Sequence, residues 1–249
     1  MKQKFYFVHI DLLNTREALE TCSTLLKGPK SSTLFFINAH CFNIAVRNKQ
    51  YYNSLQQADL LLNDGIGMKI ASWFAGIRFK ENMNGTDFIP KLIDQAHSIS
   101  TSVYLLGAKP GIASIAAEKI NNRAKSKLVV GYSDGYFNQN QESEIIDSIR
   151  QSKAGLLILG MGVPMQELWI SEHIHKLPDV KLAVAGGAII DFMSGNIKRA
   201  PRWMQTSGLE WFYRFLHEPA RLFNRYFIGN FVFFANILKF SLSKSRDRH

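Results

Sequence analysis

Leu60-Leu61-Leu62-Asn63-Asp64-Gly65-Ile66-Gly67 reads as a short buried strand that ends by delivering one carboxylate onto a glycine turn. In open α/β sheets ligands bind at the carboxyl ends of the strands. A Gly-x-Gly turn there lets the backbone and the next helix's N-terminus approach a phosphate closely. Asp64 is therefore a candidate for the chemistry. The competing reading is that it simply N-caps the helix beginning near Ile66.

The pattern around this stretch supports an α/β fold. Apolar runs bounded by glycine or polar turns recur at residues 5–10, 33–39, 59–62, 103–106, 128–130, 156–159 and 182–185. Segments with helical spacing lie between most of them, at 41–57, 68–75, 88–98, 112–125, 143–152 and 165–176. Such alternation predicts a Rossmann-like, mainly parallel sheet covered by helices on both faces. Pro110 with Gly111, and Pro164, are expected just inside helix starts, where a missing N–H costs nothing.

Composition bounds the rest. A chain of 249 residues accommodates one large α/β domain plus an extension. Cys22 and Cys41 have neither metal spacing nor the density of a disulfide scaffold, so they read as buried apolar residues in a reducing compartment. Residues 5–10 are too short for the core of a signal peptide, and a cytoplasmic location follows as the expectation. The formal charge of +10 is concentrated at one end: from Lys198 onward there are ten Lys and Arg against three Asp and Glu. That end expects an anionic partner, nucleic acid or a membrane surface.

Aromatic residues also crowd there, from Trp203 through Trp211, Phe212, Tyr213, Phe215, Phe223 and Tyr226 to Phe240. The longest apolar stretch, 226–238, is interrupted by Gly229, Asn230 and Asn236 and is shorter than the roughly 20 residues a spanning helix needs. The expected division is an α/β catalytic domain at 1–200 and a helical appendage at 201–249 that lies on an anionic membrane surface. The alternative is that these aromatics pack onto the core or a second copy of the chain, and exposed rings make homo-oligomers an expectation as well.

Four glycine turns follow strands: Gly65-Ile-Gly67, Gly107 to Gly111, Gly160-Met-Gly162 and Gly186-Gly187. Together they suggest a phosphorylated ligand, although none completes a dinucleotide fingerprint or a Gly-x-x-x-x-Gly-Lys-Ser/Thr loop. His173 and His175 have poor metal spacing and read as solvated surface residues. No nucleophile elbow is present. Acid–base chemistry remains, with Asp64 first; Thr86 and Asp87 read as helix caps and Asp191 as a structural carboxylate. The glycine turns alone would suit an NAD(P)-dependent oxidoreductase, and the net charge a nucleic-acid-binding protein.

A series of ordered motifs narrows this. It runs Asn38-Ala, Ala58-Asp-Leu-Leu-Leu-Asn-Asp64-Gly-Ile-Gly67, Asn84-Gly-Thr-Asp87, Leu105 to Gly111, Gly131 to Phe137, Gly160-Met-Gly-Val-Pro-Met-Gln-Glu167, Gly186 to Phe192 and Lys198 to Trp203. It continues through Gly208-Leu-Glu-Trp-Phe-Tyr-Arg214, Glu218-Pro219 and Arg225-Tyr226. The chain resembles the WecG/TagA/CpsF glycosyltransferases over about residues 5 to 235. The resemblance implies inverting, metal-independent transfer of a hexose from a UDP-sugar to a polyprenyl-diphosphate-linked sugar on the inner face of the cell membrane, in cell-surface polysaccharide synthesis. No cofactor, metal or nucleic-acid partner is then expected. By the same resemblance Asp64 is the general base, Gln166 and Asn38 contact substrate, and the arginines of the C-terminal end close over the diphosphate, with Arg214, Arg221 and Arg225 as the alternatives for that contact. The turns add Asn63, Gly65, Asn84, Gly107, Gly160, Gly186 and Gly187 as substrate-binding candidates. At Phe36 the chain departs from the teichoic-acid members, which carry a Thr there, so N-acetylmannosamine, its uronate and glucose all stand as donor hexoses.

Overall fold

The computed structural model describes residues 2–246. In chain order the elements are β1 (Lys2–Phe5), β2 (Val8–Asp11), α1 (Thr15–Lys27), β3 (Ser32–Ile37), α2 (Ala39–Arg47), α3 (Lys49–Gln57) and β4 (Leu60–Asn63). Next come α4 (Ile66–Phe74), α5 (Gly85–Ser98), β5 (Val103–Gly107), α6 (Ile112–Ala124), β6 (Val129–Ser133), α7 (Gln139–Ser152) and β7 (Leu156–Gly160). The remainder is α8 (Met165–His173), β8 (Leu182–Ala185), α9 (Ile189–Ser194), α10 (Arg202–Thr206), α11 (Glu210–His217), α12 (Pro219–Phe223) and α13 (Gly229–Arg246).

Six strands form one parallel sheet in the order β4-β3-β8-β7-β5-β6. Its inner strands are buried along their whole length, which is why they read as continuous apolar runs rather than alternating ones. Helices pack a separate hydrophobic cluster on each face. After β3 the chain moves outward to β4, and after α5 it crosses to β5 on the far side of the sheet. That reversal opens a crevice at the carboxyl ends of the central strands.

Several elements depart from the sequence expectation. Residues 5–10 are not a strand of the main sheet: Tyr6 takes a positive φ of 54° and folds the segment into the separate antiparallel pair β1–β2. The helix expected over 41–57 breaks at Asn48, which ends α2 and caps α3 by accepting a hydrogen bond from Tyr51 N at 3.0 Å. Helices α1 and α9 were not foreseen; α1 opens with a capping box between Asn14 and Glu17. Pro110 and Pro164 stand just outside helices, not inside them, because Gly111 and Pro164 itself are the caps. The cap of α5 is Asn84, not Thr86 or Asp87. His175 is exposed as expected, but His173 is buried, with Nε2 3.1 Å from the Glu142 carboxylate.

Both cysteines are free and buried, as expected, and burial pushes their thiols up, to about 12 at Cys22 and about 11 at Cys41. The last helix is not wholly peripheral. Phe233 and Ile237 of α13 are buried in the core beside Phe42 and Phe5, and Asn43 ties the helix down by bonding Gly229 O at 2.7 Å and Asn236 at 3.2 Å.

Gly107, at the end of β5, holds φ +147°, and a Cβ there would lie 2.5 Å from the backbone of Gly160. Gly107→Ala combines a backbone conformation that L side chains rarely adopt with a main-chain clash. It is expected to cost roughly 3 kcal/mol or more, read as a lowered urea midpoint.

Candidate active site

A cleft of about 730 Å³ occupies the crevice, with walls from the turns after β3, β4, β5, β7 and β8 and from the appendage helices. Parallel pairing sets its floor. Ile37 lies opposite Asn63 in the β3–β4 register, and Asp64 N donates to Ile37 O at 2.8 Å, so Asn38 and Asp64 emerge side by side. Asn38 caps α2, its Oδ1 accepting from Cys41 N at 3.1 Å. With that oxygen committed, the amide N–H₂ is the end left to bond the Asp64 carboxylate.

Asp64 does not cap α4; Gly65 does, with φ +92° and no side-chain hydrogen bond. Burial pushes the Asp64 carboxyl up to about 6, and the Glu210 carboxylate adds to the rise. The Asn38 hydrogen bond and the positive charges of Arg225 and Arg214 oppose it. A carboxylate so placed is ionised near neutral pH yet basic enough to accept a proton from a hydroxyl.

Gln166, which also lines the cleft, is held at both ends of its amide. Its Oε1 accepts from Gly187 N at 3.0 Å, and its Nε2 donates to Glu167 Oε1 at 2.9 Å. Glu167 is almost wholly buried, and burial lifts its carboxyl to about 7. Sequence reasoning quoted Glu167 without giving it a role. The signal was a second ionisable group in the first turn of a helix that follows a glycine turn. The cleft is also lined by Lys109, exposed Tyr136 and Phe137, a cation and two rings likewise missed.

Arg214, Arg221 and Arg225 all reach the cleft from the appendage. Arg214 lies with its guanidinium 5.4 Å from the Phe192 ring centroid, and its buried Nε has no hydrogen-bond partner. Arg225 is close enough to act on Asp64, and with burial it holds His40 down at about 4. Arg221 is more exposed and pairs with Glu218.

The appendage is latched in place by Arg199, whose guanidinium bonds Glu210 through Nε at 3.2 Å and Nη2 at 3.1 Å, and Asp87 through Nη1 at 2.5 Å. Asn84 Nδ2 donates to the same Glu210 at 3.2 Å. Helix α11, which carries Arg214, is thereby joined to the start of α5. Arg199→Ala leaves Glu210 without its cation; a loss of about tenfold in kcat/KM is expected from the misplaced Arg214. Steady-state kinetics would check this, with Arg199→Lys recovering little because a bidentate fork is lost.

Of the residues singled out in the sequence, Asp64, Asn38, Asn84, Gly160, Gln166, Gly186, Gly187 and the three arginines line the cleft, together with Phe36. Asn63, Gly65 and Gly107 do not. Asn63 is buried with its amide on Glu81 O at 2.9 Å, Gly65 N donates to Asn82 Oδ1 at 2.6 Å, and Gly107 packs against Gly160.

A doubly covered parallel sheet with its cleft at the strand ends is a Rossmann-like α/β architecture. The family model described as "Glycosyl transferase WecG/TagA/CpsF family" matches residues 4–247, and the chain belongs to that family; it is a hexosyltransferase. Two similar proteins carry the name N-acetylglucosaminyldiphosphoundecaprenol N-acetyl-beta-D-mannosaminyltransferase. One, from Bacillus spizizenii, is 32% identical over 215 residues, 86% of this chain and 82% of its own length. The other, from Bacillus subtilis, is 29% identical over 185 residues, 74% and 71% respectively.

Proposed function

We propose that the chain transfers a hexose, with inversion and without a metal, from a UDP-sugar to the sugar of a polyprenyl-diphosphate acceptor in cell-surface polysaccharide synthesis. The observation that carries this reading is the raised carboxylate of Asp64 in a cleft rimmed by guanidinium groups; of the other carboxylates lining that cleft, Glu167 is bonded to Gln166 and Glu218 to Arg221. Inversion is one displacement: the acceptor hydroxyl oxygen bonds to the anomeric carbon as the bond to the diphosphate oxygen breaks. The hydroxyl proton passes to Asp64, and the electron pair leaves with UDP. Arg214 and Arg225 oppose the charge that builds on the diphosphate, and the Gly186–Gly187 turn, braced by its bond to Gln166, forms a wall for the sugar.

The names of the two relatives favour N-acetylmannosamine as the donor sugar and an N-acetylglucosamine-bearing undecaprenyl diphosphate as the acceptor. Phe36 bears on the donor. It lines the cleft, packs edge-on against Phe88 with centroids 6.0 Å apart, and presents no hydroxyl to the sugar. A hexose with an apolar face toward Phe36 fits this wall. A lipid acceptor also fits peripheral residence on the inner face of the cell membrane through the appendage at 201–249; no helix among the described residues is long and apolar enough to cross a bilayer.

The test is UDP release by the purified chain with a panel of UDP-sugars, a polyprenyl-diphosphate-GlcNAc analogue and excess chelator. Acceptor-dependent release with one donor, persisting under chelation, is the expected result. Release that needs no acceptor, or that chelation abolishes, would overturn the mechanism. Binding of NAD(P)H, or of DNA with a steep salt dependence, would favour the readings set aside.

A further inference from the structure

We infer that helix α4 of the catalytic domain, side by side with α13, forms a surface that docks on an anionic bilayer. The membrane contact would then extend beyond the appendage. This rests on the lipid-acceptor reading above but concerns a different element.

The sequence of α4 places Ile66, Ile70, Trp73 and Phe74 at intervals of three and four, on one helical face. The opposite face, Met68, Ala71 and Ser72, is buried. The outward face is uncovered: Trp73 is 63% and Phe74 66% exposed. Helix α13 repeats the arrangement. Phe233 and Ile237 point into the core, while Phe231, at 79% exposed, Leu238 and Leu242 point away from it. The two helices approach each other at Gly67 and are bridged farther along by Tyr6. A Cβ on Gly67 would sit 3.8 Å from the Phe233 ring, and Tyr6 Oη lies 3.4 Å from Ala71 O and 3.1 Å from Ser241 Oγ. Two neighbouring helices thus both turn apolar stripes away from one shared core.

Contiguous exposed apolar side chains mark an interaction site, and the rim indicates which kind. Lys69 and Arg78 flank Trp73 around a groove of about 740 Å³, and Lys239 stands beside Leu238. Aromatic and aliphatic side chains bordered by cations suit the boundary between acyl chains and anionic head groups. The stripe also begins at Ile66, two residues from Asp64. A diphosphate held at head-group level would lie beside the cleft mouth, and its isoprenoid chain would remain in the bilayer.

The full-length chain, Trp73→Ser/Phe74→Ser and Lys69→Glu/Arg78→Glu would be co-sedimented with phosphatidylglycerol–phosphatidylcholine vesicles and with phosphatidylcholine alone, folding being checked by circular dichroism. The aromatic pair should weaken binding to the mixed vesicles about tenfold or more. The charge pair should weaken it about fivefold per charge and abolish the preference for anionic lipid. Unchanged binding by both variants would overturn the inference. So would vesicle binding that persists while the aromatic variant changes from dimer to monomer by light scattering, since that assigns the face to a second copy.

Turnover of a short-chain, water-soluble acceptor separates the two readings. The aromatic variant should retain it while losing turnover of acceptor embedded in vesicles. A wild-type chain inactive on both acceptors counts against the donor and acceptor proposed above, and vesicle binding still decides the docking surface.

Discussion

Asp64→Asn is expected to lower kcat by about 10²–10⁴ while leaving the fold intact, because the amide keeps the size and hydrogen bonding of the side chain but cannot take a proton. The wild-type pH profile should carry the same signature. Its acid limb falls about tenfold per pH unit below about 6, where burial has placed the Asp64 carboxyl. In the variant that limb disappears. Full activity in Asp64→Asn would remove this residue as the base.

Stability should move in the opposite direction. The folded protein holds the Asp64 carboxyl above its ordinary value of 3.8, so the native state binds the proton more tightly than the unfolded chain does. That stabilising contribution is complete below about pH 4 and is lost as pH rises through about 6. Glu167, lifted to about 7, behaves likewise over a slightly higher range. At pH 8 the wild type carries a buried charge that Asp64→Asn does not. The variant's Tm is expected to be higher by about 2–4 °C, the difference closing near pH 4; calorimetry at the two pH values would measure it.

The second large effect is expected at the arginines. Removing a cation preorganised against a developing anion costs about 10²–10³ in kcat, and Arg214→Ala and Arg225→Ala should each lose that much. Arg221→Ala should lose less, because its guanidinium is exposed and already shared with Glu218. Arg225→Ala carries a further mark. With that charge gone, less opposes the burial of Asp64, so the acid limb of the pH profile should shift upward. Equal losses at all three arginines, with the limb unmoved, would contradict the assignment.

The sheet was legible because a strand buried on both faces needs apolar residues throughout, and residues 103–106, 156–159 and 182–185 supply them without interruption. Helix α1 was equally legible but went unread: Ala18, Leu19, Cys22, Leu25 and Leu26 recur at helical spacing behind the Asn14–Glu17 capping box. The break at Asn48 was hidden because asparagine occurs within helices as well as at caps.

At the site, Asp64 could be read from its position after a strand. Asn63 lies outside the cleft lining because its side chain is buried with the amide spent on Glu81 O. Gly65 likewise lies outside the cleft lining, its N–H given to Asn82, a tertiary pairing that no local pattern announces. The latch through Arg199 joins residues 87, 199 and 210, and no local pattern announces such a meeting.

The burial of Phe233 and Ile237 against Phe42 bears on how the C-terminal end can be dissected. A fragment ending at residue 200, where the composition changes, would uncover the aromatic wall formed by Phe5, Phe42 and their neighbours and leave the Asn43 amide without Gly229 and Asn236. Such a shortened protein would be sticky in its own right, so clumping or adhesion to liposomes by it would report a wound in the core. Point changes on the outer surface of α13 keep that wall sealed, and for that reason are the sounder way to learn how the chain meets lipid.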